Sequence, residues 1–167
     1  MVKDGIHIGC FQGVRFFENE FLGPRREWTA TIGEASFLII VWCSGNAQDP
    51  GGVMIALRQG VFQWDDITER RDPPKAVRGR MGALRIKRNQ KDSDLVIYVG
   101  YAYQSNDPAH KRAQFWDAFA ILLGGFPDRI QMAGGIDGNT HSGGYVELRD
   151  QDKGENITRV GLEGSQQ

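Results

Sequence analysis

The segment that most constrains the fold of this chain is a strand–helix–strand pattern in its second half. Residues 95–101 form a strong apolar strand pattern, and residues 108–123 carry a clear apolar stripe with helical spacing. Residues 130–133 form a second, shorter strand pattern after Gly124 and Gly125. A unit of this kind predicts a crossover that joins two parallel strands of one sheet.

The other periodic segments predict strands. Residues 37–42 form a continuous apolar run that suits a strand covered on both faces, and residues 53–57 make a hairpin with it. Residues 6–11 alternate in the same way as a half-buried strand. Residues 82–87 alternate apolar with basic side chains, which predicts one solvated face. With 167 residues and 22 glycines, the chain fits one strand-rich α/β domain with a single clear helix near residues 108–123.

The net charge of −1 conceals a basic segment. Residues 69–91 hold nine basic residues against two acidic ones, a local excess of seven positive charges. Such a segment can neutralise phosphates and makes nucleic acid a candidate partner. The alternative is a solvated strand edge whose charges prevent aggregation.

No apolar run is long enough to cross a bilayer, and no signal peptide is visible in the first 30 residues. Cys10 and Cys43 both lie in apolar stretches, which predicts two reduced, buried thiols. The sequence therefore predicts an intracellular protein without membrane contact, and it does not distinguish nucleus from cytoplasm.

Four stretches carry a resemblance to a known family, and they occur in the family's order. Residues 6–15 resemble a hydrophobic strand that ends in Gln-Glu-Thr-Arg, and residues 51–58 resemble a Gly-Gly-Val hairpin strand. Residues 94–101 and the helix after them resemble a strand that ends in Tyr-x-Pro. Residues 135–143 resemble the motif Gly-Asp-x-Asn-x-His-x-Gly. Together they resemble the endonuclease/exonuclease/phosphatase superfamily, closest to the endonuclease domain of LINE-type (non-LTR) retroelements.

The resemblance implies part of a two-sheet α/β sandwich and hydrolysis of phosphate esters with Mg²⁺ or Mn²⁺. It gives catalytic roles to Asp137, which aligns or deprotonates water, to Asn139, which steadies phosphoryl charge, and to Tyr101, which holds the phosphate. In an extended segment, a spacing of two would put Asp137 and Asn139 on one side. The substrate-binding candidates are His141, which matches a loop histidine of the retroelement branch, with Arg78 and Arg80 from the basic segment.

The departures from the family pattern are equally specific. Gly13 stands where the family has its metal-binding glutamate, so a hard cation loses a principal ligand and no metal ligand is secure. Tyr103 stands two residues after Tyr101, where the family's Tyr-x-Pro has its proline, and Ile136 replaces the glycine before Asp137. The family's final Ser-Asp-His has no counterpart. We therefore expect an incomplete domain over residues 1–149 and a loosely ordered polar tail over residues 150–167.

Three functions remain open at this level. The first is a metal-dependent phosphodiesterase or endonuclease that acts on nucleic acid, impaired by Gly13 and the absent Asp-His. The second is a catalytically inactive fragment, or a binding domain that retains the scaffold. The third is a general α/β interaction domain in which Asp137, Gly138 and Asn139 form an ordinary tight turn. An incomplete sandwich also exposes apolar surface and strand edges, which predicts marginal stability or self-association.

Overall fold

The computed structural model of the chain describes residues 5–16, 24–44, 51–87 and 94–139. These residues form two four-stranded sheets and one long α-helix. The strand-rich α/β class with a single long helix, predicted from the sequence, is therefore confirmed.

The first sheet is antiparallel throughout and has the order β1-β4-β3-β2. Its strands are β1 (Ile8–Gln12), β2 (Arg25–Ile32), β3 (Ala35–Trp42) and β4 (Val53–Arg58). The continuous apolar run of β3 is buried along almost its whole length, because both faces of this central strand are covered. The predicted hairpin pairing of β3 with β4 is confirmed.

The second sheet has the order β5-β6-β7-β8 and mixes the two strand directions. Its strands are β5 (Ile67–Arg71), β6 (Met81–Ile86), β7 (Leu95–Tyr101) and β8 (Gln131–Asp137), and α1 (Ala109–Gly124) connects β7 to β8. Strands β5, β6 and β7 pair antiparallel, whereas β7 and β8 pair in parallel. The predicted parallel pairing across the helix is therefore confirmed.

The main core lies between the two sheets. Side chains of β3 and β4 meet those of β6 and β7 there, and Trp42 is its largest fully buried member. A second core packs α1 onto the outer face of the second sheet through Phe115, Phe119 and Leu122. A third cluster covers the outer face of β3 around Phe37 and Val41. The order of layers is thus sheet, sheet and helix.

Some details of the sequence-based expectation were wrong. Strand β6 has no solvated face, since only Arg85 among its residues is less than fully buried. Strand β8 extends to Asp137, four residues beyond the strand pattern expected at residues 130–133. Trp116 lies in the helix predicted at residues 108–123, and its large apolar side chain is 44% exposed. Strand β2 was not predicted from the sequence, although its residues 27–32 alternate polar and apolar side chains.

Among the described residues, none of the helices combines the length and the apolar character needed to span a membrane. The polar tail expected over residues 150–167 lies outside the described residues.

Candidate functional site

Three neighbouring strand positions bring Arg80, Tyr101 and Asp137 into one row at the same end of the second sheet. The backbone N–H of Tyr101 donates to the carbonyl of Arg80 at 2.7 Å, and Tyr101 is the register partner of Asp137. Residues directly opposite each other in a sheet project from the same face. On that face Gly135, two residues before Asp137, approaches β1, so the row faces the first sheet.

Asn139 is held beside this row by a tight turn. Its backbone N–H donates to Oδ1 of Asp137 at 3.0 Å, and its side-chain Nδ2 donates to the carbonyl of Ala102 at 2.6 Å. Asn139 has a φ of 44°, in the left-handed region that asparagine tolerates better than most residues. The extended arrangement expected from the spacing is therefore wrong. The turn instead fixes the amide of Asn139 at the end of β7.

The end of β1 closes the site from the first sheet. Nε2 of Gln12 donates to the carbonyl of Gly135 at 3.2 Å, two residues before Asp137. Gly13 follows Gln12 with a φ of 67°, and no heavy atom of the described residues lies within 4 Å of the place where its Cβ would stand. The position at which the resemblance expects a metal-binding glutamate is thus beside Gln12, without a contact from the described part of the chain.

Cys10 lies two residues before Gln12 on β1, and its side chain faces β7. Its Sγ is 3.6 Å from the carbonyl of Tyr98. Burial raises the pKa of the Cys10 thiol above its usual value, and a backbone hydrogen bond with Gly135 acts in the opposite direction. The thiol is therefore a neutral packing group at neutral pH and not an activated nucleophile. Both cysteines are free, as predicted, but only Cys43 is buried, and the expectation of a buried Cys10 was wrong because Cys10 is only half-buried.

Arg80 is a buried cation that contacts two aromatic rings. Its side chain is almost fully buried, with 4% of the residue exposed. The guanidinium carbon lies 5.1 Å from the ring centroid of Tyr101 and 4.4 Å from that of Tyr103. Such stacking is favourable, because the ring faces carry partial negative charge. Arg80 consequently fixes both tyrosines and places positive charge at the end of β7.

The residues present offer a metal ion a small donor set. Among the described residues, no group of three or more histidine, cysteine, aspartate or glutamate side chains is placed to hold a metal. Asp137 supplies one carboxylate, and Gly13 supplies no side-chain oxygen. Mg²⁺ is often bound by one or two protein carboxylates together with substrate phosphates. The described residues therefore do not form a metal site by themselves, and a cation would need further ligands from a bound substrate.

Much of the basic segment over residues 69–91 is used in internal contacts. Arg70 pairs with Glu27 at 2.9 Å, and Arg85 donates to Asp94 at 2.7 Å. Arg71 donates to the carbonyls of Leu122 and Gly125 at the end of α1. These arginines hold strands and helix together, so the formal charge of the segment overstates what a polyanion would meet.

The predicted site residues differ in how the structure places them. Asp137, Asn139, Tyr101 and Arg80 come together at one end of the sandwich. Arg78 lies two residues before Arg80, in the turn that leads into β6, and His141 lies outside the described residues.

Sequence reasoning missed one member of the site. Tyr103 counted only as a departure from the family's proline, yet it stacks on Arg80. The spacing of two between Tyr101 and Tyr103 was the available signal for a pair of aromatic side chains. Nothing in the sequence showed that Arg80 would lie beside both rings.

A separate groove lies on the side of α1 that faces the segment before β6. It has a volume of about 490 Å³ and is lined mainly by apolar atoms, with His110 and Asp117 among its polar residues. None of the predicted site residues lines it.

Comparisons with protein-family models, with curated proteins and with solved structures found no match to this chain.

Proposed function

We propose that this chain binds phosphate esters, with nucleic acid as the substrate class, at the end of the sandwich formed by Arg80, Tyr101, Asp137 and Asn139. One observation carries the proposal: residues from distant parts of the sequence, selected by resemblance or charge, converge on one small region. The same proposal makes the chain a divergent member of the endonuclease/exonuclease/phosphatase superfamily, similar to the LINE-type endonucleases. In this interpretation it is a hydrolase with a weakened metal site.

The proposed roles follow from the contacts of each side chain. The carboxylate of Asp137 is exposed, and its Oδ1 accepts the backbone N–H of Asn139. It can orient a water molecule or accept its proton. Asn139 uses one amide N–H on Ala102, so the other can donate to a phosphoryl oxygen. Arg80 supplies a fixed positive charge, and Tyr101 a hydroxyl for the phosphate.

Mg²⁺ or Mn²⁺ bound with the substrate would supply Lewis-acid polarisation of the phosphoryl group. Asp137 is the side chain that would hold it, with the amide oxygen of Asn139 as a second donor. Because Gly13 contributes no ligand, we expect weak metal affinity and slow turnover even with substrate present.

The second candidate is a binding domain that does not hydrolyse its ligand. The observation that favours it is the donor set, because Asp137 belongs to no group of three or more metal-ligating side chains among the described residues. Arg80 and the two tyrosines would still recognise a phosphate in such a domain. The two candidates therefore share a site and differ in turnover.

Nicking of supercoiled plasmid with Mg²⁺ or Mn²⁺ distinguishes them. The chain is compared with Asp137→Ala, with Gly13→Glu and with Asp117→Ala, a control that removes an exposed carboxylate from α1. Hydrolysis predicts metal-dependent nicking that Asp137→Ala abolishes, Asp117→Ala leaves unchanged and Gly13→Glu increases. Absence of nicking by every folded variant would eliminate the hydrolase and leave the binding domain.

Binding is measured separately by fluorescence anisotropy of a labelled DNA duplex at several salt concentrations. Arg78→Ala and Arg80→Met should weaken binding and reduce its salt dependence. The matched control is Lys87→Ala, which removes an exposed cation just beyond the opposite end of β6. Equal effects of all three changes would contradict a site at this end of the sandwich.

A further inference from the structure

The outer edge of β8 presents unpaired backbone groups over the length of the strand. Among the described residues, β8 pairs only with β7. The carbonyl of Asp137 accepts the N–H of Ala102, which follows β7. Asp137 and every second residue before it in β8 therefore direct their backbone groups toward β7. The groups of the alternate residues, Met132, Gly134 and Ile136, therefore point to the free edge.

This edge lacks the features that usually prevent strands from pairing between molecules. Strand β8 reads QMAGGID and contains no lysine, arginine or proline, and its single charge is Asp137 at the end. By contrast β5, the opposite edge of the same sheet, carries Glu69, Arg70 and Arg71. Charged or proline-containing edges resist pairing, whereas an exposed uncharged edge is a template for another strand.

Apolar side chains accompany the open edge on the helix side of the sheet. Met132 is 40% exposed and Ile136 is 39% exposed. Ile136 and Phe119 approach Gly100 from the same side, and the exposed ring of Trp116 packs edge-on against Phe119. The free backbone and this apolar strip thus form one continuous surface.

We infer that the edge of β8 binds β8 of a second copy of this chain, antiparallel and centred on Gly134. In this register Met132 of one copy lies opposite Ile136 of the other, and Gly134 meets itself at the two-fold axis. Every outward backbone group then gains a partner, about six hydrogen bonds in all. The same surface serves both copies, so the contact closes as a dimer and does not propagate.

Charge complementarity favours a second copy over an unrelated strand. Arg129 is exposed, precedes β8 by two residues and makes no ion pair within the described part of the chain. In the antiparallel register Arg129 of the second copy is the diagonal neighbour of Asp137, within reach of a long side chain. The pair occurs twice by symmetry. Dimerisation would therefore place an arginine of the second copy beside the carboxylate of the candidate site.

Sedimentation equilibrium of the full chain over a range of concentrations tests this inference, which does not depend on the proposed function. We expect a monomer–dimer equilibrium for the wild type. Met132→Lys should shift dissociation to at least ~100-fold higher concentration, because the lysine would face Ile136 across the interface. The matched control Ile121→Lys changes an exposed apolar residue on the opposite side of α1 and should leave the equilibrium unchanged.

A charge exchange tests the register. Arg129→Asp and Asp137→Arg should each weaken the dimer, and the double variant should restore it. A wild type that is monomeric throughout, that forms open-ended polymers, or that dimerises equally well as Met132→Lys would overturn the inference. Failure of the double variant to restore the dimer, with Met132→Lys monomeric, would overturn the register centred on Gly134.

Discussion

Gly82 is the position where the packing of the two sheets can be tested most directly. It lies in β6, two residues after Arg80, and a Cβ built there would meet the indole of Trp42 at 2.2 Å. Ordinary contacts of a Cβ begin near 3.4 Å, so the ring would have to move by about 1.2 Å. The indole is fully buried, and its Nε1 donates to Asp72 at 2.8 Å, which limits such a movement.

We therefore expect Gly82→Ala to destabilise the chain by about 2 kcal/mol, near the upper end of the net cost because the contact is very short. Overpacking of a rigid core costs ~1–3 kcal/mol, and replacement of glycine in a strand returns only about 0.5 kcal/mol. Urea unfolding followed by far-UV circular dichroism measures the change, which at a typical slope corresponds to a midpoint lower by roughly 1–2 M. Gly124→Ala is the control, because nothing lies within 4 Å of its Cβ and alanine favours the helix.

The contact itself is tested by a double-mutant cycle. Trp42→Phe makes room beside Gly82, so Gly82→Ala should cost about 1–2 kcal/mol less in that background than in the wild type. A Gly82→Ala variant within about 0.5 kcal/mol of the wild type would refute the packing argument. Additive effects of the two substitutions on the free energy of unfolding would also refute the packing argument.

Three further predictions concern single side chains. Arg71→Lys should lower the free energy of unfolding in urea by about 2 kcal/mol. The guanidinium donates to two carbonyls at the end of α1 and stacks 3.5 Å from the ring centroid of Phe126. An effect as small as that of Lys75→Ala, an exposed control, would contradict this prediction. Asn139→Ala should be less stable than Asn139→Gly by about 1 kcal/mol, since alanine is strained at a φ of 44°; equal stabilities would exclude that strain. Stability should fall as the pH rises above about 8.5, because the half-buried Cys10 keeps a proton that the unfolded thiol loses. Cys10→Ala should reduce this slope, and an unchanged slope would assign it to other groups.

The sequence predicted strands well where burial alone determines the pattern. The apolar runs of β3 and β7 are interior strands, and no other element suits such composition at that length. It failed where a tertiary contact decides. The alternation of β6 suggested a wet face, but Arg85 pairs with Asp94 at the edge of the core, so a basic residue does not mark exposed surface there.

The candidate site was also predictable only in part, because its side chains meet through tertiary contacts. The motif at Asp137 and Asn139 was visible in the sequence, but the side chain of Asn139 is held by the carbonyl of Ala102, the residue that follows β7. Tyr103 joins the site through Arg80, a contact that requires β6 and β7 to be neighbours. Sequence patterns identify side chains with suitable chemistry, and strand order decides which of them meet.

Gly13 occupies the position where the proposed function would need a metal-binding glutamate. Among the described residues nothing contacts the place of its Cβ, so the lack of a side chain there removes no core contact that the structure shows. Its φ of 67° is one that glycine adopts freely, whereas another residue would be strained by about 1 kcal/mol. A substitution at this position therefore tests the proposed metal site with little effect on the fold. We expect Gly13→Glu to supply the proposed ligand at a modest cost in stability, which makes that variant a fair test of whether a missing carboxylate limits the proposed hydrolysis.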